Sequence, residues 1–438
     1  MKILRRDLLK VGLAHTISSC IPFESNALHQ LKGKTGPSIL QGATDDTKTQ
    51  FSIVYKASAQ LDIYVSNSTG QMTKPDDIEV LTYPGHAQQI TKVYFSKLKP
   101  RQTYYLNIID LDTKNLIDLR EFKTLDLESQ NLRFAVCSCM DKDLHSAEIW
   151  QNLIAQDPEV IFFIGDQVYA DRGGPPSGAS PALLWRQFCE ARATLEIYFS
   201  KKLIPIFATW DDHDFGANNG TSVTYPFVKE SQKNFLSFVA QRESHCQGLI
   251  RGPGVSSALK FRSQLFILSD GRSFRKEINS QERFAHWGEE QEKWITDLIQ
   301  NHQGPTWFMN GTQIFPSFFV KESVSYHHPV QFQGFLEQLK PLASRVVFIS
   351  GDVHFSEISE IETQAVGYQT YELTSSSMHS KNFANAPDFI PNPRRIAATG
   401  HRNFLMIDAK SQGYGVEIKT ASVSTTGQQI FQKNLNVI

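Results

Sequence analysis

Four short stretches of this 438-residue chain concentrate residue types that bind metal ions. In chain order they are Cys137-Ser-Cys139, Gly165-Asp-Gln-Val-Tyr-Ala-Asp171, Trp210-Asp-Asp-His-Asp214 followed by Asn218-Asn219, and Gly351-Asp-Val-His354. Because no lysine or arginine lies within them, their carboxylates would repel one another strongly if they met. A bound cation removes that repulsion, and two cations about 3.5–4 Å apart are a known device for phosphoryl transfer. The residue types therefore point to metal-dependent phosphoryl transfer.

Each stretch also has a structural explanation when it is taken alone. Asp166 would then cap the following helix, and residues 211–214 would form a solvated turn. Residues 351–354 would form a tight turn around a hydrogen-bonded histidine. Cys137 would be a core residue, since apolar strand positions commonly hold a free cysteine. The recurrence of such residues in four places favours one shared site.

An apolar segment precedes each of the four stretches. These segments are residues 132–137, 160–164, 203–208 and 346–349, and similar runs occur at 265–268 and 307–309. Continuously apolar strands are typical of sheets covered on both faces. Helical patterns lie between them at residues 144–156, 181–198, 289–300 and 330–339, which predicts a layered α/β domain. Because ligands bind beyond the carboxyl ends of the strands in open α/β sheets, we expect the polar stretches to converge.

The part of the chain before residue 129 has a different pattern. Short alternating runs at residues 51–55, 61–65, 91–95 and 104–109 are separated by turn residues, which predicts a β-sandwich. Leu98, Pro100 and Tyr104 resemble the corner of fibronectin type III domains. Near the C-terminus, residues 404–407 and 415–418 predict an antiparallel hairpin.

The N-terminus resembles an export signal. Arg5 and Arg6 precede a short apolar stretch at residues 11–17, as in twin-arginine signals. Small residues before Cys20 resemble a lipoprotein cleavage site, which makes Cys20 a candidate lipid anchor. An ordinary cytosolic start with a chance arginine pair is the alternative.

Composition excludes several classes of protein. Lys and Arg total 44 against 45 Asp and Glu, so a net charge of −1 does not favour specific nucleic-acid binding. No apolar run is long enough for a transmembrane helix. Five cysteines cannot build a disulfide framework, and their odd number leaves at least one free, modified or bound as a ligand.

Taken together and in this order, the motifs resemble the alkaline phosphatase D family, a branch of the calcineurin-like metallophosphoesterases. The resemblance runs from about residue 37 to the C-terminus and includes Leu268-Ser-Asp-Gly-Arg272-Ser-Phe-Arg275. It implies a four-layer metallophosphoesterase-type α/β sandwich at residues 129–438. An all-β immunoglobulin or fibronectin III-like domain at 37–128 and an export signal with linker at 1–36 would precede it.

The resemblance also implies roles for single residues. Asp166 would bridge two metal ions, Tyr169 and Cys139 would bind iron, and His213 would donate a proton to the leaving group. The remaining implied metal ligands are Asp212, Asn218, Asp352 and His354. Asp212 stands where relatives carry an asparagine, and Arg272 or Arg275 would either pair with the substrate phosphate or brace the site.

The chain departs from the family pattern in three respects, one of which is that no Gly-His-x-His motif of the wider superfamily follows residues 351–354. Gly271 stands where relatives have threonine, and the pair Cys137 and Cys139 leaves the identity of the ligand open. The resemblance implies that the protein binds two or more metal ions, namely Fe³⁺ together with Ca²⁺. Mn²⁺ or Zn²⁺ are the alternatives.

We therefore expect an exported enzyme, periplasmic or lipid-anchored, that hydrolyses small phosphate monoesters or diesters by attack of metal-bound hydroxide. We also expect a monomer. The rival interpretation is a non-catalytic surface protein with a degenerate phosphoesterase domain. Hydrolysis of another ester class is less favoured because the chain has no Gly-x-Ser-x-Gly motif.

Overall fold

The computed structural model describes residues 36–316, 322–382 and 384–438. The predicted twin-arginine signal and Cys20 lie outside these ranges. Within them, no helix combines the length and the apolar character that a bilayer span requires.

Two antiparallel sheets of four strands each form the N-terminal part. One has the order β1-β2-β6-β5, with β1 (Ser38–Gln41), β2 (Thr49–Lys56), β5 (Asp77–Thr82) and β6 (Gln88–Phe95). The other has the order β4-β3-β7-β8, with β3 (Leu61–Asn67), β4 (Met72–Thr73), β7 (Thr103–Asp110) and β8 (Leu116–Lys123). Alternate residues of both sheets share one apolar cluster, for example Phe51 and Ile53 with Leu106 and Ile108.

The predicted corner around Tyr104 is present. Tyr104 is buried beside Leu98, and its hydroxyl accepts a hydrogen bond from the Lys99 amide at 2.9 Å. This contact fixes the turn before β7, as the tyrosine corner of immunoglobulin-like folds does.

Two larger sheets follow along the chain. The six-stranded sheet has the order β11-β10-β9-β20-β21-β22. Its strands are β9 (Asn131–Cys137), β10 (Val160–Ile164), β11 (Ile206–Thr209), β20 (Asn403–Gln412), β21 (Gly415–Ser424) and β22 (Gln429–Val437). The eight-stranded sheet has the order β12-β13-β14-β15-β16-β18-β17-β19. Its strands are β12 (Leu249–Arg251), β13 (Ser257–Phe261), β14 (Gln264–Leu268), β15 (Thr306–Met309), β16 (Val346–Ser350), β17 (Ser356–Ile361), β18 (Thr370–Thr374) and β19 (Arg395–Thr399).

Nine α-helices occur in the described ranges. They are α1 (Ala147–Ala155), α2 (Pro181–Thr194), α3 (Asp212–Phe215), α4 (Val228–Phe238), α5 (Glu289–Gln300), α6 (Val324–His327), α7 (Pro329–Leu339), α8 (Thr363–Val366) and α9 (Ala386–Phe389). Short 3-10 turns occur at Lys142–Leu144, Glu196–Phe199 and Glu243–His245.

The two large sheets are in contact through their facing side chains, and helices cover their other faces. Phe162 of β10 stacks on Phe266 of β14 with ring centroids 4.9 Å apart. On the opposite face of β10, Phe163 contacts Trp150 of α1 at 5.9 Å. Beyond the second sheet, Phe308 of β15 packs on Phe335 of α7 at 5.3 Å. Both sheets are therefore buried on two sides, which explains the continuous apolar runs.

These sheets and helices confirm an α/β fold with several sheets, and most predicted elements occur where the pattern places them. Three boundaries differ. Helix α1 begins only at Ala147, because Ser146 before it has an extended backbone. Strand β11 starts only at Ile206, after Pro205, which has no amide hydrogen for the ladder. Helix α2 ends at Thr194 because Leu195 adopts an extended backbone. The boundaries 1–36, 37–128 and 129–438 stay predictions.

Candidate metal centre

Four strand ends bring the predicted ligands together. Strands β9, β10 and β11 are parallel neighbours, so their carboxyl ends lie at one edge of the six-stranded sheet. The end of β16 reaches the same place from the other sheet. The Met140 amide donates to the Asp166 carbonyl at 2.7 Å, and the Ser138 hydroxyl donates to the Ser375 carbonyl, after β18, at 2.6 Å.

Four of the candidate ligands have left-handed backbones. The φ angles are 57° at Cys139, 54° at Asp166, 70° at Asp352 and 62° at His354. Such angles are uncommon outside glycine and cluster at functional sites. Gly165, at φ 110°, allows the close approach of the strand ends, because a Cβ there would lie 2.6 Å from the Asp211 Cβ.

Among the described residues, three overlapping groups of side chains could hold metal ions, and in each group the donor atoms lie within 4.8 Å of one another. The groups are Cys139 with Asp166 and His354, Asp166 with Asp212 and His213, and Asp211 with Asp212 and Asp352. Asp166 and Asp212 each belong to two groups. A carboxylate has two oxygens, so each of these residues has the chemistry to bridge adjacent cations.

The two shared carboxylates fit a bound metal ion. Asp166 Oδ1 and Asp212 Oδ1 are buried, and neither has a hydrogen-bond partner in the described part of the chain. Burial, together with the negative charges of Cys139 and Asp212, raises the pKa of Asp166 well above its ordinary value. A buried carboxylate oxygen without a partner is costly, and a cation would remove that cost.

Cys139 and Tyr169 lie on one side of this cluster. The Cys139 thiol is 3.5 Å from Asp166 Oδ2, and the Tyr169 hydroxyl is 3.2 Å from His354 Nε2. Burial raises the pKa of the Cys139 thiol to about 11, and burial and nearby acids raise that of Tyr169 well above its usual range. A cation must therefore displace their protons before either residue binds it as an anion.

The structure distinguishes between the two cysteines of the first motif. Cys137 is the last residue of β9 and is buried in the apolar cluster with Ile161 and Phe163. Cys139, after the turn, faces the acidic residues. The structural explanation thus fits Cys137, and Cys139 is the candidate ligand.

His213 lies within α3 and faces the same cluster. Its Nδ1 is 2.7 Å from Asp171 Oδ1, and its ring packs at a tilt of 36° on that of Tyr169 with centroids 4.2 Å apart. Burial alone lowers its pKa, but the charge of Asp212 and the hydrogen bond to Asp171 outweigh burial and raise it to about 9. With Nδ1 engaged, Nε2 is the nitrogen available to a substrate.

Arg272 lies in a bracing position. Its side chain is fully buried, donates to Asp211 Oδ1 at 2.5 Å and to Glu322 Oε2 at 2.7 Å, and has a nitrogen 3.9 Å from Asp212 Oδ1. Arg275 is also buried and donates to Glu322 at 2.8 Å. Of the two roles expected for these arginines, the contacts favour bracing over direct contact with a substrate.

Asn218 is exposed at the rim, where its backbone amide donates to Asp171 Oδ2 at 3.2 Å. Sequence reasoning assigned no role to three neighbours of the cluster. Asp171 orients His213, Asp211 joins Arg272 to the cluster, and Ser376 Oγ lies 3.0 Å from the Cys139 thiol. The first two belong to motifs already singled out, whereas Ser376 has no local sequence signal.

Comparisons with known proteins support the fold. No protein-family model and no curated protein sequence matches the chain. Among solved structures, the one titled "Structure of PhoD" matches with a TM-score of 0.70 and 16% identity, covering 92% of this chain and 88% of that one. An amylomaltase from Corynebacterium glutamicum covers 32% of the chain at a TM-score of 0.16, too low for a shared fold. The chain therefore has a PhoD-like fold, as its resemblance to the alkaline phosphatase D family predicts.

Proposed function

We propose that this protein is a metal-dependent phosphoesterase that hydrolyses small phosphate monoesters or diesters. The main support is that Asp166 and Asp212 connect the three groups of candidate metal ligands. Each of these two residues has a buried oxygen without a hydrogen-bond partner among the described residues, and a cation would compensate for it. The PhoD-like fold adds support, since it is the fold expected of the alkaline phosphatase D family.

Two adjacent cation sites follow from the donor chemistry. Cys139, Asp166 and His354, with Tyr169 beside them, would hold iron, because thiolate and phenolate anions suit Fe³⁺. Asp166 and Asp212, together with Asp352 of the third group, would hold a harder cation such as Ca²⁺, with Mn²⁺ or Zn²⁺ as alternatives. Asn218 at the rim is a further candidate ligand. When bound, such a pair polarises phosphoryl oxygens and lowers the pKa of water.

The leaving group needs a proton, and His213 is placed to supply it. Asp171 accepts a hydrogen bond from His213 Nδ1 and so fixes the orientation of the ring. The Nε2 atom would then donate its proton to the departing oxygen. Arg272 and Glu322 hold Asp211 and Asp212 in place, so their contribution to the reaction is through position.

The finer layout belongs to the same proposal. We infer a four-layer phosphoesterase sandwich behind an immunoglobulin or fibronectin III-like domain, supported by the facing sheets and by the Tyr104 corner. We further infer a monomeric enzyme, exported through the N-terminal signal and anchored through Cys20 if that residue is lipidated. Fractionation of native cells, with a Cys20→Ala variant beside the wild type, tests the export and the anchor.

Ester hydrolysis tests the proposed activity. We expect the purified full chain to hydrolyse an aryl phosphate or an aryl phosphodiester, to lose the activity with a chelator and to regain it with added metal. Hydrolysis of neither ester by metal-loaded protein would refute the proposal. A colourless, metal-free and inactive protein would instead favour the non-catalytic surface protein.

A further inference from the structure

Beside metal ions, a positive side chain that an anionic substrate can reach would strengthen its binding, and the two arginines of the predicted motif do not provide one. Arg272 and Arg275 have side chains that are 0% and 1% exposed. Their guanidinium groups bind Asp211 and Glu322. They are therefore already paired with protein carboxylates and shielded from solvent.

Arg172 combines exposure with a position beside the cluster. Its side chain is 41% exposed, and its guanidinium carbon lies 4.4 Å from the centroid of the Tyr169 ring. The hydroxyl of that ring is 3.2 Å from His354 Nε2. The guanidinium thus lies against the ring of one candidate ligand, whose hydroxyl contacts another.

The segment that contains Cys139 also fixes the position of Arg172. Asp141, two residues further on, is buried and accepts a charge-assisted hydrogen bond from Arg172 Nη1. The other Asp141 oxygen accepts from the Asp143 amide at 3.0 Å, which holds the carboxylate itself. Stacking and ion pairing together orient the guanidinium plane before any ligand arrives.

Most of the hydrogen-bonding capacity of Arg172 is unused. A guanidinium has five N–H donors, and among the described residues Arg172 gives one to Asp141. The remaining donors lie on a half-exposed side chain that contacts the ring of Tyr169. A planar fork of this kind matches two oxygens of a phosphoryl group.

We propose that Arg172 is the substrate-binding arginine of this site and donates hydrogen bonds to non-bridging phosphoryl oxygens. The inference rests on the proposed function for the identity of the substrate. It reassigns phosphate recognition from Arg272 to Arg172, which lies outside the motif that suggested a phosphate-binding arginine.

Binding of inorganic phosphate to the metal-loaded full chain tests this inference independently of turnover. Isothermal titration calorimetry would compare the wild type with Arg172→Met, which keeps an apolar stem over Tyr169 but removes the donors. Arg172→Lys keeps the positive charge but lacks the planar pair of N–H donors. Arg101→Met is the matched control, because Arg101 is a 64% exposed arginine that pairs with Asp126 far from the cluster.

We expect Arg172→Met to weaken phosphate binding about tenfold or more, Arg172→Lys to weaken it less, and Arg101→Met to leave it unchanged. Metal content should stay the same in all variants, and KM for an aryl phosphate should rise more than kcat falls. Unchanged phosphate affinity in both Arg172 variants, or no phosphate binding by the wild type, would overturn the inference. Phosphate binding that depends on Arg172 without ester hydrolysis would refute the proposed function and leave this inference standing.

Discussion

At the residue scale, side chains close together in sequence do different work. Cys137 and Cys139 would share one face of a regular strand, since strand side chains repeat every two residues. The strand ends at Cys137, and the positive φ of Cys139 turns its thiol toward Asp166. The backbone thus separates a core cysteine from a candidate ligand.

This separation predicts opposite results for two matched variants. Cys139→Ser should lower the iron affinity by at least about tenfold and weaken the Tyr169-to-iron absorption band, because it removes a thiolate donor. Cys137→Ser should keep the metal and lower the free energy of unfolding by about 1–3 kcal/mol, because it buries a hydroxyl among apolar side chains. Metal analysis and denaturant unfolding check both, and equal metal loss in the two variants would contradict the assignment.

In the proposed reaction, Asp171 would act through His213. Asp171→Asn should lower kcat about 10–100-fold. Because the Asp171 hydrogen bond raises the pKa of His213, its loss should also move the alkaline limb of the kcat profile to lower pH. The control is Asp157→Asn, an exposed aspartate that pairs with Lys202. A pH–rate profile in the same place as that of the wild type would rule out this role for Asp171.

At the element scale, one buried histidine, His379, connects segments that surround the metal-ligand cluster. His379 follows β18 and accepts a hydrogen bond from Trp150 Nε1 of α1 at 3.0 Å, while its Nδ1 donates to the Asp141 carbonyl at 3.0 Å. Both ring nitrogens are therefore used by the neutral form. Burial lowers the pKa of His379 to about 3 from an ordinary 6.5.

A pH dependence of stability follows from this burial. The pKa of His379 is lower in the folded than in the unfolded protein, so its stabilisation is complete above pH 6.5 and is lost as pH falls toward 3. The loss should be on the order of a few kcal/mol. Denaturant unfolding at several pH values gives the free energy of unfolding as a function of pH. Between pH 6.5 and 3 this free energy should change less steeply with pH in His379→Phe than in the wild type. An unchanged slope would show that His379 does not contribute.

The elements were largely predictable and the site only in part. Strands β9, β10 and β16 and helices α1, α5 and α7 have apolar patterns that depend on local sequence alone, so periodicity finds them. The role of Arg172 depends on its contact with Asp141. The role of Ser376 depends on its contact with Cys139, which lies 237 residues away in the sequence. The Arg172 contact forms when β9 and β10 pair, and the Ser376 contact forms only when the two sheets meet, so a local pattern carries no signal for either.

At the scale of the whole molecule, the N-terminal sheets are packed against the larger α/β part. Leu40 and Ile90 belong to the same apolar cluster as Trp185 of α2 and Phe238 of α4. Arg192 of α2 is buried between them and donates to the carbonyls of Ser38, Ser52 and Phe238.

Arg192→Met should therefore destabilise the molecule as a unit. Removing the guanidinium leaves buried carbonyls without donors, which should cost about 3 kcal/mol or more. We expect calorimetry to show one transition at a lower Tm, with metal content unchanged, and the surface variant Arg101→Met to melt like the wild type. Two separate transitions would show that the two parts unfold independently.

If Asp166 bridges adjacent metal ions as proposed, the metal content of Asp166→Asn should reveal it. Asparagine tolerates the positive φ of this position, so the fold should be retained. Asp45→Asn is the control, since Asp45 is a buried aspartate of the N-terminal sheets that caps backbone amides. We expect metal in the wild type and in Asp45→Asn, whereas Asp166→Asn should lose half or more of the metal and should no longer hydrolyse the ester. Full metal content in Asp166→Asn would contradict the bridging role.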